Sequence, residues 1–447
     1  MSNPDYCTWK MNRVSKIFHP TDSLLQKTRN VLGSKNQSLL VDYGLMKPLD
    51  KGTFYYLPIL QRSINKTSAL IKRFMHKIDA QEISIPNLTP VELWTQSGRF
   101  DVYGSELFTL KDRHEKPLLL GPTFEESITH MMTLGQNIGE KQLPFRLYQI
   151  GNKFRDENAR YGLLRSKEFI MKDLYTFDVD IESATRTYEE VNDIYRKLFT
   201  FLGVPYEKVE ADATDMGGHL SHEYHYLASI GEQSLQTCSS CGETSIDSTE
   251  TTDDVSECPK CKSKELQKNR GIEVGHAFLL GDTYTKKQKA NFLKAGKPVP
   301  MQMGCYGIGV TRLIGAAIEK LATESHIRWP FPIAPFSVCI IPPEKRSKAF
   351  SSASHYLEEV HDRLNTVPGL QDSILVDDRI RVPIGDRFRN ARRLGIPLVV
   401  IIGKKASDTE NPQFELHFIQ EEKECNLSLN DLINEVTKYS QEKHKEN

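Results

Sequence analysis

The stretch FRLYQIGNKFRDENARYGLLRSKEFIMKDLYTFD, residues 145–178, decides how the rest of the chain is interpreted. Two runs rich in apolar and aromatic residues flank a polar centre, and the segment from Asn158 to Gly162 is composed of turn-forming residues. This pattern predicts an antiparallel hairpin. Arg155 stands just before the turn and Phe169 comes after it.

The side chains around this turn suit a nucleoside triphosphate. The guanidinium of Arg155 is a planar fork that matches phosphate oxygens. The ring of Phe169 offers a face on which a base can stack, and Glu157 can accept hydrogen bonds from an amine. A charged surface hairpin is the alternative for Arg155 or Glu157 taken alone.

The order F-R-x-E, polar loop, R-x-x-x-F resembles motif 2 of the class II aminoacyl-tRNA synthetases. A second stretch, residues 304–312, reads GCYGIGVTR and resembles motif 3 of the same superfamily. Two motifs in the right order are more specific than either one. The resemblance implies that Arg155 and Arg312 are the catalytic residues, with Arg312 lying on the triphosphate or over the adenine. The residues that it implies for ATP binding are Arg155, Glu157, Arg165, Phe169, Glu273 and Arg312.

Length and composition limit the range of functions. A chain of 447 residues predicts roughly two to four domains. The formal net charge of −1 means that a nucleic-acid partner must be held by local basic patches. The sequence has no apolar run close to the roughly 18–20 residues that cross a bilayer, so we expect a soluble protein without a membrane partner.

Residues 118–126, LLLGPTFEE, form a second candidate site. The apolar run ends at the turn signal Gly121-Pro122, after which Thr123 and Glu125 could bind a substrate ammonium group. A helix start with Thr123 as its cap is the alternative. The stretch resembles the T-x-E loop of prolyl-tRNA synthetases, in which Thr and Glu hold the secondary amine of proline, and both interpretations can hold together.

Two later stretches resemble segments of the amino-acid pocket in the prolyl enzymes. Residues 217–224 read GGHLSHEY, and the resemblance adds Ser221, His222 and Glu223 to the proline site. Residues 271–276 read GIEVGH; here His276 is implied as a proline-pocket residue and Glu273 as a ribose or magnesium contact. A plain glycine turn and a satisfied core histidine are the respective alternatives.

Four of the eight cysteines form two C-x-x-C pairs separated by sixteen residues. This spacing is typical of paired knuckles that hold zinc with four thiolates. Such a site leaves no coordination position open, so the zinc would be structural, and a metal-free loop is the alternative. The predicted ligands are Cys238, Cys241, Cys258 and Cys261; the other cysteines are expected to be isolated thiols.

From Pro335 the pattern changes to strands alternating with helices, which predicts a small α/β domain. Between Arg379 and Lys405 eight basic residues face the single Asp386. The basic residues are Arg379, Arg381, Arg387, Arg389, Arg392, Arg393, Lys404 and Lys405. They predict an RNA-binding patch, with a solvated helix face as the alternative. The segment resembles the anticodon-binding domain shared by the prolyl, threonyl, histidyl and glycyl enzymes.

The resemblance extends from about residue 40 to 420 and is to bacterial-type prolyl-tRNA synthetases, most closely the animal mitochondrial form. It implies an α+β fold: a class II catalytic domain on an antiparallel sheet over residues 31–330, with a cysteine-knuckle insert at 237–268, and an α/β anticodon-binding domain over 331–447. Residues 1–30 are expected to be weakly structured and to include a targeting region. A helix, a strand and Pro86 resemble motif 1, which implies a homodimer, and the mitochondrial likeness implies the matrix.

The implied reaction uses ATP and Mg²⁺ to convert L-proline to prolyl-adenylate, and then transfers proline to the 3′ end of tRNA(Pro). The tRNA would be bound through its acceptor end and its anticodon. Bacterial enzymes carry an editing domain between motifs 2 and 3, and we expect none here because pocket segments and knuckles account for residues 179–303. Alanine would then be misactivated. A sister synthetase such as the threonyl enzyme, and a non-catalytic tRNA-binding subunit, are the alternatives.

Overall fold

The computed structural model describes residues 11–20, 33–134, 137–213, 216–247 and 257–445. The strands up to motif 3 are, in chain order, β1 (Asn12–Arg13), β2 (Met46–Asp50), β3 (Thr53–Tyr56), β4 (Gln81–Glu82), β5 (Leu88–Pro90), β6 (Thr109–Lys111), β7 (Pro117–Leu120), β8 (Phe145–Phe154), β9 (Glu168–Asp178), β10 (Glu207–Glu210), β11 (Leu220–Leu227), β12 (Gln233–Cys238), β13 (Thr244–Ile246), β14 (Leu266–Gly281), β15 (Asn291–Lys294), β16 (Lys297–Pro300) and β17 (Gln302–Gly309). The helices of the same part are α1 (Lys35–Asp42), α2 (Pro58–His76), α3 (Val91–Ser97), α4 (Arg99–Tyr103), α5 (Glu125–Thr133), α6 (Ile181–Leu202), α7 (Thr283–Gln288) and α8 (Val310–Leu321).

The predicted hairpin is the centre of the larger sheet. Strands β8 and β9 pair in antiparallel register from Phe145 opposite Phe177 to Phe154 opposite Glu168. The order across the sheet is β10-β11-β14-β17-β9-β8-β4, and β12 extends it by pairing with β14. Every pair along it is antiparallel except β4 with β8. The hairpin prediction is therefore confirmed.

Long amphipathic helices cover one face of this sheet. Helix α6 begins after Asp180, whose carboxylate accepts a hydrogen bond from the Ser183 N–H at 2.8 Å, and it ends at Gly203 with a positive φ of 70°. Its buried side chains pack with those of β11, β14 and β17 in the main core. Helix α2 spans Pro58–His76 and begins at Pro58, because proline fits the first helical position.

The C-terminal part is a smaller α/β unit. It comprises β18 (Val338–Ile341), α9 (Ala349–Ala353), α10 (Tyr356–Asn365), β19 (Ile374–Val376), α11 (Ile384–Arg393), β20 (Leu398–Ile401), β21 (Phe414–Phe418), β22 (Lys423–Leu427) and α12 (Leu429–Lys443). The order β1-β19-β18-β20-β21-β22 is parallel as far as β20 and antiparallel beyond it. The fully buried strands β18 and β20 are apolar on both faces, as a covered parallel sheet requires. The predicted alternation of strands and helices is confirmed.

The prediction of a weakly structured N-terminus is wrong for residues 11–20. Strand β1 adds to the edge of the C-terminal sheet, with Asn12 opposite Leu375 and Arg13 opposite Val376. The Ser15 hydroxyl and N–H both donate to the carboxylate of Asp378. The physical reason is that β19 offers an unpaired edge, which a short extended segment can cover. Residues 1–10 and 21–32 lie outside the described residues.

The described part of the chain contains no helix with both the length and the apolar character needed to cross a membrane.

Candidate active site

The motif 2 and motif 3 residues leave the sheet at one edge. Strand β9 lies between β8 and β17, and its first residues face the last residues of both neighbours: Glu168 is opposite Phe154, and Met171 is opposite Gly309. Arg155 follows β8 directly, and Arg312 lies in the first turn of α8 directly after β17. The two arginines, far apart in sequence, are therefore brought to the same end of the sheet.

A chain of ion pairs connects Arg155 with two other arginines of the motif 2 loop, Arg160 and Arg165. Glu157 lies 3.8 Å from Arg155 and also pairs with Arg165. Arg165 in turn contacts Glu232 at 2.6 Å, and Arg160 reaches the same carboxylate at 2.8 Å. Burial would raise the pKa of Glu232, but these two arginines lower it below its usual value. The carboxylates therefore hold the motif 2 arginines in fixed positions around one loop.

Arg312 faces the same region from the other side. Its guanidinium lies 3.9 Å from Glu273 on β14, and the two side chains line a cavity of about 130 Å³ together with Glu232 and Tyr161. The charge of Arg312 also contributes to the lowered pKa of Glu232. Arg312 is thus electrostatically linked to the carboxylate that pairs with the motif 2 arginines.

Phe169 is buried, with 6% of its surface exposed, and its ring faces the guanidinium of Arg155 at 5.3 Å. This cation–π contact fixes the arginine against the start of β9. Whether the other face of Phe169 stacks on a base stays a prediction.

The T-x-E residues form a buried acceptor next to motif 2. The Thr123 hydroxyl lies 2.6 and 2.8 Å from the two carboxylate oxygens of Glu125. The alternative in which Thr123 caps α5 is wrong, because this hydroxyl donates to Glu125 and the N-cap position belongs to Phe124. Helix α5 does begin at Glu125, as that alternative expected.

Two residues that sequence reasoning did not place in the site contact Glu125. The Cys305 thiol donates to its Oε1 at 3.0 Å, and Arg99 donates to its Oε2 at 3.0 Å. Burial would raise the pKa of Glu125, but Arg99, Cys305 and Thr123 hold that pKa below its usual value. Cys305 lies inside the motif 3 stretch and was expected to be an isolated thiol, whereas no spacing rule connects Arg99 to Glu125.

The T-x-E loop is tied to the nucleotide end of the sheet by main-chain contacts. The Phe154 N–H donates to the Gly121 carbonyl at 3.2 Å, and the Arg155 guanidinium donates to the Pro122 carbonyl at 3.4 Å. On the other side, the Phe124 N–H donates to the Tyr175 hydroxyl on β9 at 2.9 Å. Arg155 therefore lies between the T-x-E loop and the ion-paired hairpin.

Ser221, Glu223 and His276 form a second polar group on β11 and β14. The Ser221 hydroxyl and His276 Nε2 lie 2.6 Å apart, and His276 Nδ1 is 3.3 Å from Glu273 and 3.8 Å from Glu223. Burial alone would raise the pKa of Glu273, but the hydrogen bond with His276 and the charge of Arg312 keep it well below its ordinary value. This group connects with the nucleotide side through the contact between Glu273 and Arg312.

The placement of His222 beside Ser221 and Glu223 is wrong. Successive side chains of a strand point to opposite faces, so His222 is directed toward α6. Its Nδ1 lies 2.6 Å from the Tyr188 hydroxyl, and burial among these aromatic residues lowers its pKa to about 4. His222 therefore packs behind the sheet.

The four knuckle cysteines converge. Their sulfur atoms all lie within 4.8 Å of one another, with Cys238 to Cys261 and Cys241 to Cys258 both at 3.6 Å. A tetrahedral zinc with bonds of roughly 2.3 Å to sulfur requires separations of about 3.8 Å. The two turns are built alike, because the N–H groups of Gly242 and Lys262 each donate to the carbonyl of the first cysteine at 2.9 Å. The residues present therefore fit a four-thiolate zinc site.

The basic segment of the C-terminal unit divides into two groups. Arg387 is completely buried, and its guanidinium donates to the carbonyls of Val382, Asp377 and Pro342 at 3.0, 3.1 and 2.9 Å. Its inclusion in an RNA-binding patch is wrong, because every donor group is directed into the protein. Arg389 is exposed on α11, and its ion pair within the described residues is with Asp386 on the same helix.

Comparison with known proteins shows which family contains these features. Residues 108–321 match the tRNA synthetase class II core domain (G, H, P, S and T), and residues 337–439 match an anticodon binding domain. The probable mitochondrial proline–tRNA ligase of Homo sapiens is 43% identical over 404 residues, covering 88% of this chain and 84% of that protein. The chain belongs to the proline–tRNA ligase family.

Bacterial proline–tRNA ligases are also similar. That of Wolbachia sp. subsp. Drosophila simulans (strain wRi) is 36% identical over 410 residues, covering 89% of this chain and 93% of the relative. The fold matches the prolyl-tRNA synthetase from Cryptosporidium parvum, solved with halofuginone and AMPPNP, with a TM-score of 0.76 at 15% identity; the match covers 95% of this chain and 80% of that one. The predicted proline–tRNA ligase family and the predicted two-domain fold class are confirmed.

Proposed function

We propose that this proline–tRNA ligase activates L-proline with ATP at the site between the T-x-E loop and the motif 2 hairpin, and then charges tRNA(Pro). Thr123 and Glu125 bind the secondary ammonium group of proline, and Ser221, Glu223 and His276 complete the pocket. His222 is left out because it faces α6. The carboxylate of proline attacks the α-phosphorus of ATP, the bond to pyrophosphate breaks, and no side-chain nucleophile is needed.

The catalytic contribution of the protein is alignment and charge neutralisation. Arg155 and Arg312 approach the phosphates from two sides, and Arg165 adds a third cation of the same loop. Glu157 orients these arginines, and Phe169 is offered to the base. Because Glu273 stays ionised, it is available to the ribose or to magnesium, which when bound neutralises charge on the phosphate oxygens.

The observation that carries this proposal is the position of Arg155. Its guanidinium contacts the Pro122 carbonyl of the proline loop and lies 3.8 Å from Glu157 of the nucleotide loop. A cation in this position can neutralise the charge that develops between the attacking carboxylate and the α-phosphorus.

Proline-dependent exchange of pyrophosphate into ATP tests the assignment. We expect Arg155→Ala to lower the exchange rate by on the order of 10²- to 10³-fold, because a preorganised charge is lost at the transition state. Arg186→Ala is a matched control, since Arg186 is exposed on α6 and pairs with Glu182 one turn away. Exchange retained in Arg155→Ala would refute the role of Arg155, and threonine-dependent exchange would favour the sister enzyme.

In the second step the tRNA would contact both the catalytic domain, with its 3′ end, and the C-terminal unit, with its anticodon. We propose that the anticodon contacts the C-terminal unit, because exposed cations remain there after Arg387 is removed from the patch: Arg381, Arg389, Arg393, Lys404 and Lys405. The 3′-terminal ribose hydroxyl then attacks the adenylate carbonyl and AMP leaves. Filter binding across a salt series measures the number of phosphate contacts.

We propose that the enzyme has no proofreading domain in cis. The described residues between β9 and β17 form α6, β10–β14, the knuckles, α7 and the hairpin β15–β16. The gaps between the described ranges in this segment are shorter than the roughly 50 residues of a small domain. We therefore expect alanyl-tRNA(Pro) to accumulate when the purified enzyme is incubated with alanine, and its hydrolysis by the enzyme would contradict the proposal.

We propose a structural zinc held by the four knuckle cysteines. Metal analysis should find about one zinc per chain, and Cys258→Ser should release it. Because β12 and β14 carry the knuckle beside the pocket strands, zinc loss should loosen this extension while leaving the motif 2 hairpin folded. A fully active preparation without bound metal would refute the proposal of a structural zinc.

We propose that the enzyme is a homodimer in the mitochondrial matrix. The compartment is supported by relatives at 41–43% identity that are named mitochondrial. The dimer is supported by the resemblance of α2, β4 and Pro86 to motif 1 and by exposed Leu88 and Leu110 on the two outer strands, β5 and β6, of a three-stranded sheet. Light scattering at assay concentration and fluorescence localisation of the full chain test the two points.

A further inference from the structure

Arg99 is the feature of the proline side that the proposed mechanism does not use. Its Nη1 donates to Glu125 at 3.0 Å and also to the two carboxylate oxygens of Glu126 at 3.1 and 3.2 Å. Both carboxylates are fully buried, and only 6% of Arg99 is exposed. One guanidinium therefore faces two adjacent carboxylates in a place from which water is largely excluded.

The surroundings hold this guanidinium in one orientation. It lies 4.9 Å from the ring of Trp94, 5.0 Å from that of Tyr103 and 5.6 Å from that of Tyr284. The second terminal nitrogen donates to the Tyr103 hydroxyl at 3.2 Å. Gly98, with a φ of 82°, makes the turn that starts α4 at Arg99. The ammonium group of a lysine on its flexible stem, unlike the planar guanidinium, would not be held in one orientation by three rings.

We propose that Arg99 is the positioning residue of the proline site: it keeps the Glu125 carboxylate ionised and oriented, and it acts through Glu125 without touching the substrate. The inference rests on the proposed role of Glu125 as acceptor for the ammonium of proline. A buried carboxyl group without a cation takes up a proton, and a protonated carboxyl cannot supply the charge that an ammonium group needs.

The different behaviour of the two carboxylates supports this assignment. Burial opposes ionisation of both, yet the pKa of Glu125 is lowered while that of Glu126 is raised. Glu125 has additional donors in Thr123 and Cys305, whereas the negative charge of Glu125 acts on Glu126. Arg99 is the cation common to the pair, and it lowers the pKa of both carboxyl groups.

Steady-state exchange kinetics with Arg99→Met test the proposal. We expect the KM for proline to rise on the order of 10- to 100-fold near neutral pH, because Glu125 loses its charge-assisted contact with Arg99 and then binds the ammonium group of proline less well. The KM for ATP should stay within about 3-fold of its original value, since the nucleotide loop is untouched. Arg146→Met is the matched control, because Arg146 on β8 pairs with Glu190 on α6, away from the proline loop.

The pH profile separates positioning from a merely structural role. In the unaltered enzyme Glu125 is already ionised, so the KM for proline should be flat between about pH 6 and pH 8.5. In Arg99→Met the pKa of Glu125 moves upward, so the KM should fall as pH rises through that range. Arg99→Lys restores a cation but not the planar fork, and we expect an intermediate KM with a flat profile.

Three results would overturn the proposal. The first is an unchanged KM for proline with a flat profile in Arg99→Met. The second, which decides if Arg99→Met does not fold, is a KM in Arg99→Lys equal to that of the unaltered enzyme. The third is an equal rise in the KM values for proline and ATP. If the unaltered enzyme shows no proline-dependent exchange, the proposed function itself is refuted, and the assignment of Arg99 falls with it.

Discussion

Replacing Arg387 by methionine should destabilise the C-terminal unit without acting on RNA directly. The guanidinium of Arg387 is fully buried and donates to three backbone carbonyls, those of Pro342, Asp377 and Val382. The Pro342 carbonyl belongs to the loop that follows β18, whereas the Asp377 and Val382 carbonyls lie near the two ends of the segment that connects β19 to α11. One side chain therefore connects two loops at the carboxyl ends of β18 and β19.

The size of the effect follows from the acceptors left behind. Each buried carbonyl that loses its donor costs about 1–3 kcal/mol, and partial access to other donors reduces the sum, so we expect a loss of about 3–6 kcal/mol. Methionine retains most of the apolar contact made by the aliphatic stem. For a unit of about 110 residues, 1 kcal/mol shifts the melting temperature by about 4–8 °C. The expected fall is therefore at least about 10 °C.

Differential scanning calorimetry of the full chain measures this change, with Arg389→Met as the control on the exposed face of the same helix. We expect Arg389→Met to alter unfolding by less than about 0.5 kcal/mol while reducing the salt dependence of tRNA binding by about one phosphate contact. Arg387→Lys should recover part of the lost stability because it returns one donor group. An Arg387→Met variant with unchanged melting but weakened tRNA binding would show that Arg387 reaches RNA and that the reasoning is wrong.

Three further predictions concern the catalytic domain. Burial lowers the pKa of Lys172 to about 7, so between about pH 7 and pH 10 the unfolded chain binds more protons than the folded one and stability rises with pH. Lys172→Met removes this titrating group, so at pH 7 we expect the variant to be more stable than the unaltered protein. In urea unfolding, the difference in the free energy of unfolding between the two should shrink by about 2 kcal/mol at pH 9, and a pH-independent difference would contradict this. His222→Phe should retain proline-dependent exchange but lose about 1 kcal/mol of stability, because its hydrogen bond with Tyr188 is lost. A large rise in the KM for proline would show instead that His222 belongs to the proline pocket. Asp180→Ala should cost about 1 kcal/mol by removing the cap of α6, measured by thermal unfolding, with Glu182→Ala as a neutral neighbour.

The fold was accessible from sequence where local patterns are strong. The alternating runs on either side of Asn158–Gly162 predicted β8 and β9, and the strand–helix alternation after Pro335 predicted the second domain. Strand β1 could not be found, because two residues carry no periodicity and their pairing with β19 joins positions 363 residues apart. Such an edge contact is determined by the finished sheet, not by the segment itself.

The site residues could be predicted where the type of side chain determines the chemistry. They could not be predicted where the role depends on which side of a strand or helix the side chain lies. Arg155 and Arg312 lie at the same end of the sheet because each follows directly on a strand. The error at His222 came from treating Ser221, His222 and Glu223 as one unit, although neighbours on a strand face opposite sides. The error at Arg387 is similar, since a run of basic residues does not reveal which one lies on the buried side of a helix. Arg99 was missed because its partners lie in another segment.

The loops supply the side chains for the proposed reaction, and the sheet fixes the positions of these loops. Proline activation requires the amino-acid carboxylate and the α-phosphorus to be held within contact distance, and small displacements are costly. Here the T-x-E loop is fixed to the sheet twice, through the Gly121 carbonyl to β8 and through Tyr175 on β9. Because these same strands also carry Arg155 and Phe169, the distance between the two substrates is set by the register of one hairpin. Substitutions that leave every substrate contact intact but weaken the attachment of the T-x-E loop to this hairpin, such as Tyr175→Phe, should therefore lower kcat more than they raise either KM.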